Sequence, residues 1–319
     1  MTKNMKNFEF TNCPLCDCEQ SGLYLKTPDR FDLGIGDFYN LVQCSDCKHI
    51  YLNPRPVESQ SGKYYENAAY SPHISTQAKL SITDKIYVKL RIFNNRNKRT
   101  MIEKFATERN RILDIGCGTG EFLREMQSAD WQVHGVERDP DAAAFGRDQN
   151  NLSITTGTLD DLPTDFETVN VITMWHVMEH IYSPQDEIKK ISRVLSADGL
   201  LVLAVPNCAS FDAKFYKQNW IAYDTPRHVN HFHLKSLQKF LELHNFQLVK
   251  KSNLFLDSLF NVVMSEQLIE TRYGTSVVGR LFHFLRAAII GFVSIMAGLF
   301  SPLLEQSRGA TLLTIWRKT

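Results

Sequence analysis

The sequence has almost no net charge: Lys+Arg 36 face Asp+Glu 35 across 319 residues, a formal +1. No global field therefore argues for a nucleic-acid partner. An apolar run with a small-residue cleavage site is missing from Met1–Phe10, so no secretory leader is read there. Internal repeats and low-complexity tracts are absent too, which excludes solenoids and biased linkers. The longest uncharged apolar run, Ala287 to Phe300, would make a helix of roughly 20 Å, short of the ~30 Å hydrocarbon core. A further lack is of any acid between Thr271 and Leu304, where Arg272, Arg280 and Arg286 stand alone. With 43% hydrophobic residues, the chain has material for one α/β domain of ordinary size and a smaller unit. Seven cysteines, four of them in two C-x-x-C pairs, suit a reducing compartment where thiolates hold metal. The expectation is a cytoplasmic protein.

Residues 1–60 are turn-rich and contain both cysteine pairs. Residues 61–108 read as a basic helical connector. From Arg111 short apolar runs alternate with amphipathic stretches, the pattern of βα units on a parallel sheet. Strands are expected at Arg111–Ile115, Gln132–Glu137, Ser153–Thr156, Val169–Trp175 and Leu200–Val205, with helices starting near Glu121, Pro140 and Pro184. A helix from Leu234 to Leu243, a strand at Phe246–Lys250 and a last strand from Thr311 follow.

The strongest local signal is Asp114-Ile115-Gly116-Cys117-Gly118-Thr119-Gly120-Glu121. A strand runs into a Gly-rich turn that opens a helix, so a ligand can approach bare backbone. The third glycine arrives one residue too early for a dinucleotide fingerprint. Asp114 would repel a pyrophosphate and welcome a cation, and S-adenosylmethionine carries a sulfonium and an ammonium with no phosphate. Glu137 ends the second strand, roughly 20 residues on, where a ribose diol is held.

On these motifs Arg111–Val205 resembles the class I S-adenosylmethionine-dependent methyltransferases. The resemblance implies a Rossmann-like seven-stranded α/β sheet over residues 109–319. It implies Asp114, Gly116, Gly118 and Gly120 around the methionine end of the cofactor, Glu137 on the ribose, and Leu159 and Asp160 beside the adenine. Thr158 stands where the commonest pattern has Asp. The stretch Trp175 to His180 is implied to flank the transferable methyl, with His176 as pocket residue; Glu179 and His180 read equally well as a packed helix start.

Cys13, Cys16, Cys44 and Cys47 form two knuckles whose four thiolates suit a closed, structural Zn2+ site; Cys18 is a bystander. A zinc ribbon followed by such a domain resembles the subgroup of sugar C-methyltransferases and surface-glycan-associated methyltransferases. His228, His231 and His233 follow the fifth strand, where substrate elements of this fold lie, and a histidine suits removal of a hydroxyl proton. By that resemblance His228 falls on the histidine of a Glu-His pair, but Arg227 replaces the Glu. O-methylation is therefore favoured over C-methylation, with His228 and then His176 as catalytic candidates. Arg227 and His231 are candidates for binding a sugar or lipid-linked acceptor. Between the last two strands, residues 254–308 form an apolar insertion. Its 274–304 part is expected to lie in a membrane interface at the inner face, cationic side outward, the alternative being a homodimer helix. RNA methylation through the basic Lys79–Lys104 stretch and a non-catalytic cofactor-binding scaffold are the competing readings.

Overall fold

The computed structural model describes residues 7–31, 38–66, 82–106, 110–300 and 307–319. The start of the expected connector, including Tyr70 and Lys79, and residues 301–304 of the expected apolar element lie outside the described residues. Five short strands come first: β1 (Phe8–Glu9), β2 (Ser21–Pro28), β3 (Phe38–Cys44), β4 (Ile50–Leu52) and β5 (Arg55–Pro56). Helix α1 (Ile82–Glu103) leads into the α/β half. There β6 (Arg111–Ile115), α2 (Glu121–Gln127), β7 (Gln132–Glu137), α3 (Pro140–Asn150), β8 (Ile154–Thr156), β9 (Val169–Trp175), α4 (Pro184–Val194) and β10 (Leu195–Pro206) alternate. The remainder is α5 (Phe211–Tyr216), β11 (Asn230–His231), α6 (Leu234–Glu242), β12 (Phe246–Asn253), α7 (Phe255–Tyr273), α8 (Val277–Leu299) and β13 (Thr311–Lys318).

The main sheet has seven strands in the order β12-β13-β10-β9-β6-β7-β8. The pairs among β6 to β10 are parallel, while β13 runs antiparallel to both β10 and β12. Parallel strands covered by helices on both faces must be apolar throughout, and Val171, Ile172, Leu201, Val202 and Leu203 are indeed fully buried. Local chemistry sets the helix starts. Asp139 caps α3 by accepting from the backbone of Asp141 and Ala142, and Pro140 and Pro184 open α3 and α4 where no N–H is needed. The strands leave β6 outward through β7 and β8, then resume at β9 on its other side. That reversal opens a crevice at the carboxyl ends of β6 and β9, and the fold is the Rossmann-like α/β class expected.

A second sheet, β11-β4-β3-β2, has four strands. β11 comes from the segment after β10 and pairs with β4, so one sheet crosses the boundary drawn near residue 60. The four cysteines pack into the same apolar cluster as Leu203, Phe232 and Trp316.

The insertion is a helical hairpin. α8 turns its small residues Ala287, Gly291, Ser294 and Gly298 inward, and a Cβ on Gly291 would stand 3.2 Å from Leu259 of α7. Its other sides expose Leu281, Phe284, Ile289 and Phe292 among others. Two expectations are corrected here. α8 has 23 residues, ~34 Å at 1.5 Å per residue, because the helix begins well before the uncharged run. The cationic side also faces inward: buried Glu266 of α7 accepts from Arg286 Nε at 2.7 Å and meets His283 Nδ1 at 2.6 Å.

Candidate functional site

The Gly-rich turn sits at the mouth of the crevice. Gly116, Gly118 and Gly120 have φ of +70°, +56° and +80°, the left-handed region that side chains disfavour. Space excludes a side chain as well. A Cβ on Gly116 would lie 2.5 Å from Val177, and one on Gly120 would lie 2.2 Å from Leu152. The turn is anchored to β7. The Val136 carbonyl accepts Gly116 N–H at 2.7 Å, and Glu137 accepts Gly118 N–H at 2.7 Å and Asp139 N–H at 2.8 Å. Glu137 is thus oriented by two backbone donors at the strand tip.

Asp114 is 1% exposed and accepts the Thr173 hydroxyl at 2.6 Å. Burial pushes its carboxyl up to about 7, against the pull of Thr173 and the Lys98 ammonium. Lys98 of α1 stands 3.9 Å from the centre of the Trp175 ring, so the crevice already holds one cation against an aromatic face. At its far side Leu159 is buried, Thr158 caps a turn with Asp161, and exposed Asp160 pairs with Lys190 of α4.

His176 follows β9 with φ +58°. Its Nε2 lies 3.1 Å from Asp257 Oδ2 and its Nδ1 3.4 Å from Glu179 Oε1. Packing around the ring opposes the charge, yet the two carboxylates hold the imidazole up to about 10. His176 is therefore an imidazolium at neutral pH, a poor proton acceptor until that pairing is broken. Asp257 belongs to α7, a partner that the apolar insertion gave no sign of in the sequence.

His228 is buried, and burial together with His180 and His231 pushes it well below its ordinary value, so it is neutral. Its Nδ1 lies 2.8 Å from the Ala222 carbonyl, and its ring meets that of His180 edge-on with centroids 4.6 Å apart. His180 in turn has its Nδ1 3.0 Å from the Tyr65 hydroxyl and 3.1 Å from the Arg227 carbonyl. Glu179, 1% exposed, completes the group. Val229 N–H donates to the Glu179 carbonyl at 3.0 Å, tying the two segments together.

Two expected acceptor-binding residues point elsewhere. Arg227 gives its Nε to Asp224 at 2.8 Å and its Nη1 to the Tyr64 carbonyl at 3.1 Å, while both Nη atoms reach Asp29. A guanidinium so enclosed positions the loop and leaves no donor for an anionic ligand. His231 lies in β11, fully interior and edge-on to Tyr223 at 5.3 Å, and burial with neighbouring His49 pushes it down to about 3.

The cysteine sulfurs converge as the spacing predicts. Cys13 and Cys47 are 3.5 Å apart, Cys16 and Cys44 3.6 Å, and all four lie within 4.8 Å of one another. A tetrahedral Zn(Cys)4 centre has S···S edges of about 3.8 Å from Zn–S of about 2.3 Å, so the four can hold that ion. Cys18 turns away toward the Gln20 carbonyl.

Several known proteins are similar to the chain. The chain is 28% identical over 127 residues to a "Probable S-adenosylmethionine-dependent methyltransferase" of Mycobacterium tuberculosis, covering 40% of this chain and 43% of that one. It is 32% identical over 107 residues to a ubiquinone biosynthesis O-methyltransferase of Glaesserella parasuis, covering 30% and 45%. The matches thus span less than half the length of these relatives. Among solved structures, an S-adenosylmethionine-dependent methyltransferase from Archaeoglobus fulgidus is similar at 20% identity and a TM-score of 0.46, over 72% of this chain and 94% of that one. Residues 89–251, just over half of the chain, match the methyltransferase-domain family, and the protein belongs to it.

Proposed function

We propose that the protein transfers a methyl group from S-adenosylmethionine to a hydroxyl of a sugar or lipid-linked acceptor. The observation that carries this reading is the polar cluster of Glu179, His180 and His228, which follows directly on Val177, the residue packed against the Gly116 turn. S-adenosylmethionine supplies an activated methyl on a sulfonium. Asp114, Gly116, Gly118 and Gly120 receive its methionine end, Glu137 its ribose, and Leu159 with Asp160 its adenine. Attack on that methyl needs an acceptor held close and relieved of its proton. His228 is the side chain on which deprotonation depends, since it is neutral and adjoins two further polar groups. His176, already paired with two carboxylates, serves to orient Glu179 and Asp257. O-methylation fits this better than C-methylation, because Arg227 is bound inside the loop in place of a second base. Zn2+ at the four cysteines fixes the N-terminal sheet, which carries the His228 loop through β11.

The exposed apolar sides of α8 support a seat on the inner face of a membrane, where a lipid-linked acceptor resides. Arg286 is neutralised by Glu266, which also meets His283, so the attraction is apolar, with Arg280 exposed on that helix. β12 and β13 pair in one sheet, so the chain that leaves must come back, and a hairpin lying in the interface satisfies this. Among the described side chains of α1, the basic residues give RNA no comparable support. Arg99 is bonded to Glu103 and Glu125, Arg96 faces Glu125, and Lys98 turns into the crevice.

Incubating cell-envelope lipids, nucleotide sugars and RNA with methyl-labelled cofactor tests the reading. Label should enter the lipid or sugar pool as an alkali-stable ether and vanish with His228→Ala. Label in RNA alone would overturn it. Flotation with liposomes tests the membrane seat: binding should persist in salt and fall when Ile289 and Phe292 become Ser. A dimer lost on those changes, with no flotation before them, would assign α8 to self-association instead.

A further inference from the structure

The cluster of Glu179, His180 and His228 holds three ligand atoms with too little to bind. Glu179 is 1% exposed, neither carboxylate oxygen receives a hydrogen bond among the described residues, and His176 Nδ1 lies 3.4 Å from Oε1. Oε2 has no partner at all among the described residues. A buried acceptor left this way costs free energy on the order of 1–3 kcal/mol, more when charged, so its retention calls for a ligand.

The two histidines face it in a defined tautomer. His228 Nδ1 lies 2.8 Å from the Ala222 carbonyl, and His180 Nδ1 lies 3.1 Å from the Arg227 carbonyl. A carbonyl can only accept, so each Nδ1 carries the hydrogen and each Nε2 keeps a lone pair. The Tyr65 hydroxyl lies 3.0 Å from the same nitrogen of His180. Histidine metal ligands are oriented in this way, the far nitrogen donating to a carbonyl or carboxylate. One ligand atom from each of Glu179, His180 and His228 lies within 4.8 Å of the others. The backbone holds the grouping together, since Asn230 Nδ2 donates to the Ile181 carbonyl at 2.7 Å in addition to the Val229–Glu179 bond.

We infer that Glu179, His180 and His228 bind a divalent transition-metal ion, separate from the four-cysteine centre. Two imidazoles and one carboxylate suit Zn2+, Co2+, Fe2+ or Mn2+ and leave coordination positions open. Glu179 ligates through Oε2, while Oε1 stays beside the His176 ring, 3.4 Å from its Nδ1. Binding rests on this geometry alone. Only its use, lowering the pKa of an acceptor hydroxyl coordinated beside the cofactor crevice, depends on the proposed function; there His228 serves as a ligand rather than as the base itself.

The test uses the full chain with Zn2+ filling the cysteine centre, titrated with Co2+ and followed by visible absorption. A histidine–carboxylate site gives ligand-field bands without the thiolate charge-transfer band that exchange into the cysteine centre would add. One Co2+ per chain is expected, with affinity falling by at least about tenfold in His180→Ala, His228→Ala and Glu179→Gln. Arg280→Ala, on the exposed side of α8, keeps all three ligands and should bind within a few fold of the native protein. Circular dichroism identifies any variant that has lost its fold, and the comparison then rests on the remaining two. The inference is overturned if the Zn2+-filled protein takes up no Co2+, or if uptake is unchanged in a folded His180→Ala or His228→Ala protein. Calorimetry with S-adenosylmethionine in chelator reports on the proposed function separately, since cofactor binding there is independent of this ion.

Discussion

Asp114→Asn should make the protein more stable and less able to bind its cofactor, two effects of opposite sign from one atom. The native carboxyl is enclosed between β6 and β9, and burial moves it from an ordinary 3.8 to about 7. The folded chain therefore holds a proton that the unfolded chain has released across that interval. Stability is greatest below about pH 4 on this account and falls as pH rises toward about 7. One pKa unit corresponds to about 1.4 kcal/mol, so the full interval costs on the order of 4 kcal/mol above neutrality. Asparagine removes that cost. It keeps a carbonyl oxygen to accept the Thr173 hydroxyl now donated at 2.6 Å, and it changes volume little.

Binding responds the other way. S-adenosylmethionine brings positive charge, which favours ionised Asp114. Its affinity for the native protein should rise between about pH 6 and about pH 8, and the variant should bind at least about tenfold more weakly and without that rise. Urea unfolding of both proteins at about pH 5 and about pH 8 measures the first effect, with a difference between them of about 1.6 kcal/mol at the lower pH widening to about 4 kcal/mol at the higher. Calorimetry at the same pH values measures the second. A variant less stable than native at about pH 8, or one with native affinity for the cofactor, would refute the reasoning.

Gly120→Ala should lose cofactor binding and about 2–3 kcal/mol of stability, read by calorimetry and urea melts, because φ +80° disfavours a Cβ and Leu152 occupies its place. Cys13→Ser should abolish the zinc that a thiol reagent releases from native protein, and should expose β11 amides to hydrogen exchange, since that strand pairs with β4. Glu266→Gln should cost about 3 kcal/mol by thermal melting, because it strips charge from the carboxylate that gathers Tyr216, His283 and Arg286. A melting temperature unchanged in Glu266→Gln would mean that α8 is held by its small-residue face alone.

Much of the sheet was legible in advance for one physical reason. A strand buried on both faces is a short apolar run, and glycine, proline or a capping acid marks where it stops. β6, β7 and β9 have the bounds read from Arg111–Ile115, Gln132–Glu137 and Val169–Trp175, each ending at Gly116, Arg138 or His176, where the turn chemistry changes. β10 begins earlier than Leu200 because a register irregularity lets Leu195 pair with Val169 ahead of the main run. The site was less legible because its contacts are distant in sequence. Arg227 looked free to bind an anion, and nothing local reveals that Asp29, 198 residues away, encloses it. Glu179 and His180 look the same on paper whether they pack or react; what separates the readings is an absent hydrogen bond on a buried carboxylate. Asp257 hides at the start of a helix inside the insertion that was read for its apolar content, and only folding brings it to His176.

That last contact connects the insertion to the chemistry. α7 begins one residue after Leu254 and places Asp257 in its first turn, where it holds His176 and also accepts the Thr311 hydroxyl at 2.6 Å. Further along, α7 carries Glu266, which fastens α8 through Arg286 and His283. One helix thus has the contact to His176 at its amino end and the anchor of the exposed apolar hairpin about two and a half turns later. A force that shifts α8, such as burial of Ile289 and Phe292 in lipid, acts on α7 through the Glu266 cluster. The same helix carries that shift to Asp257. Moving Asp257 loosens His176, and His176 is the charged neighbour of Glu179. In the proposed reading, then, the apolar hairpin does more than bring the enzyme to its acceptor. It also bears on how firmly the carboxylate beside His180 and His228 is held, so the geometry of the acceptor pocket depends on what α8 rests against.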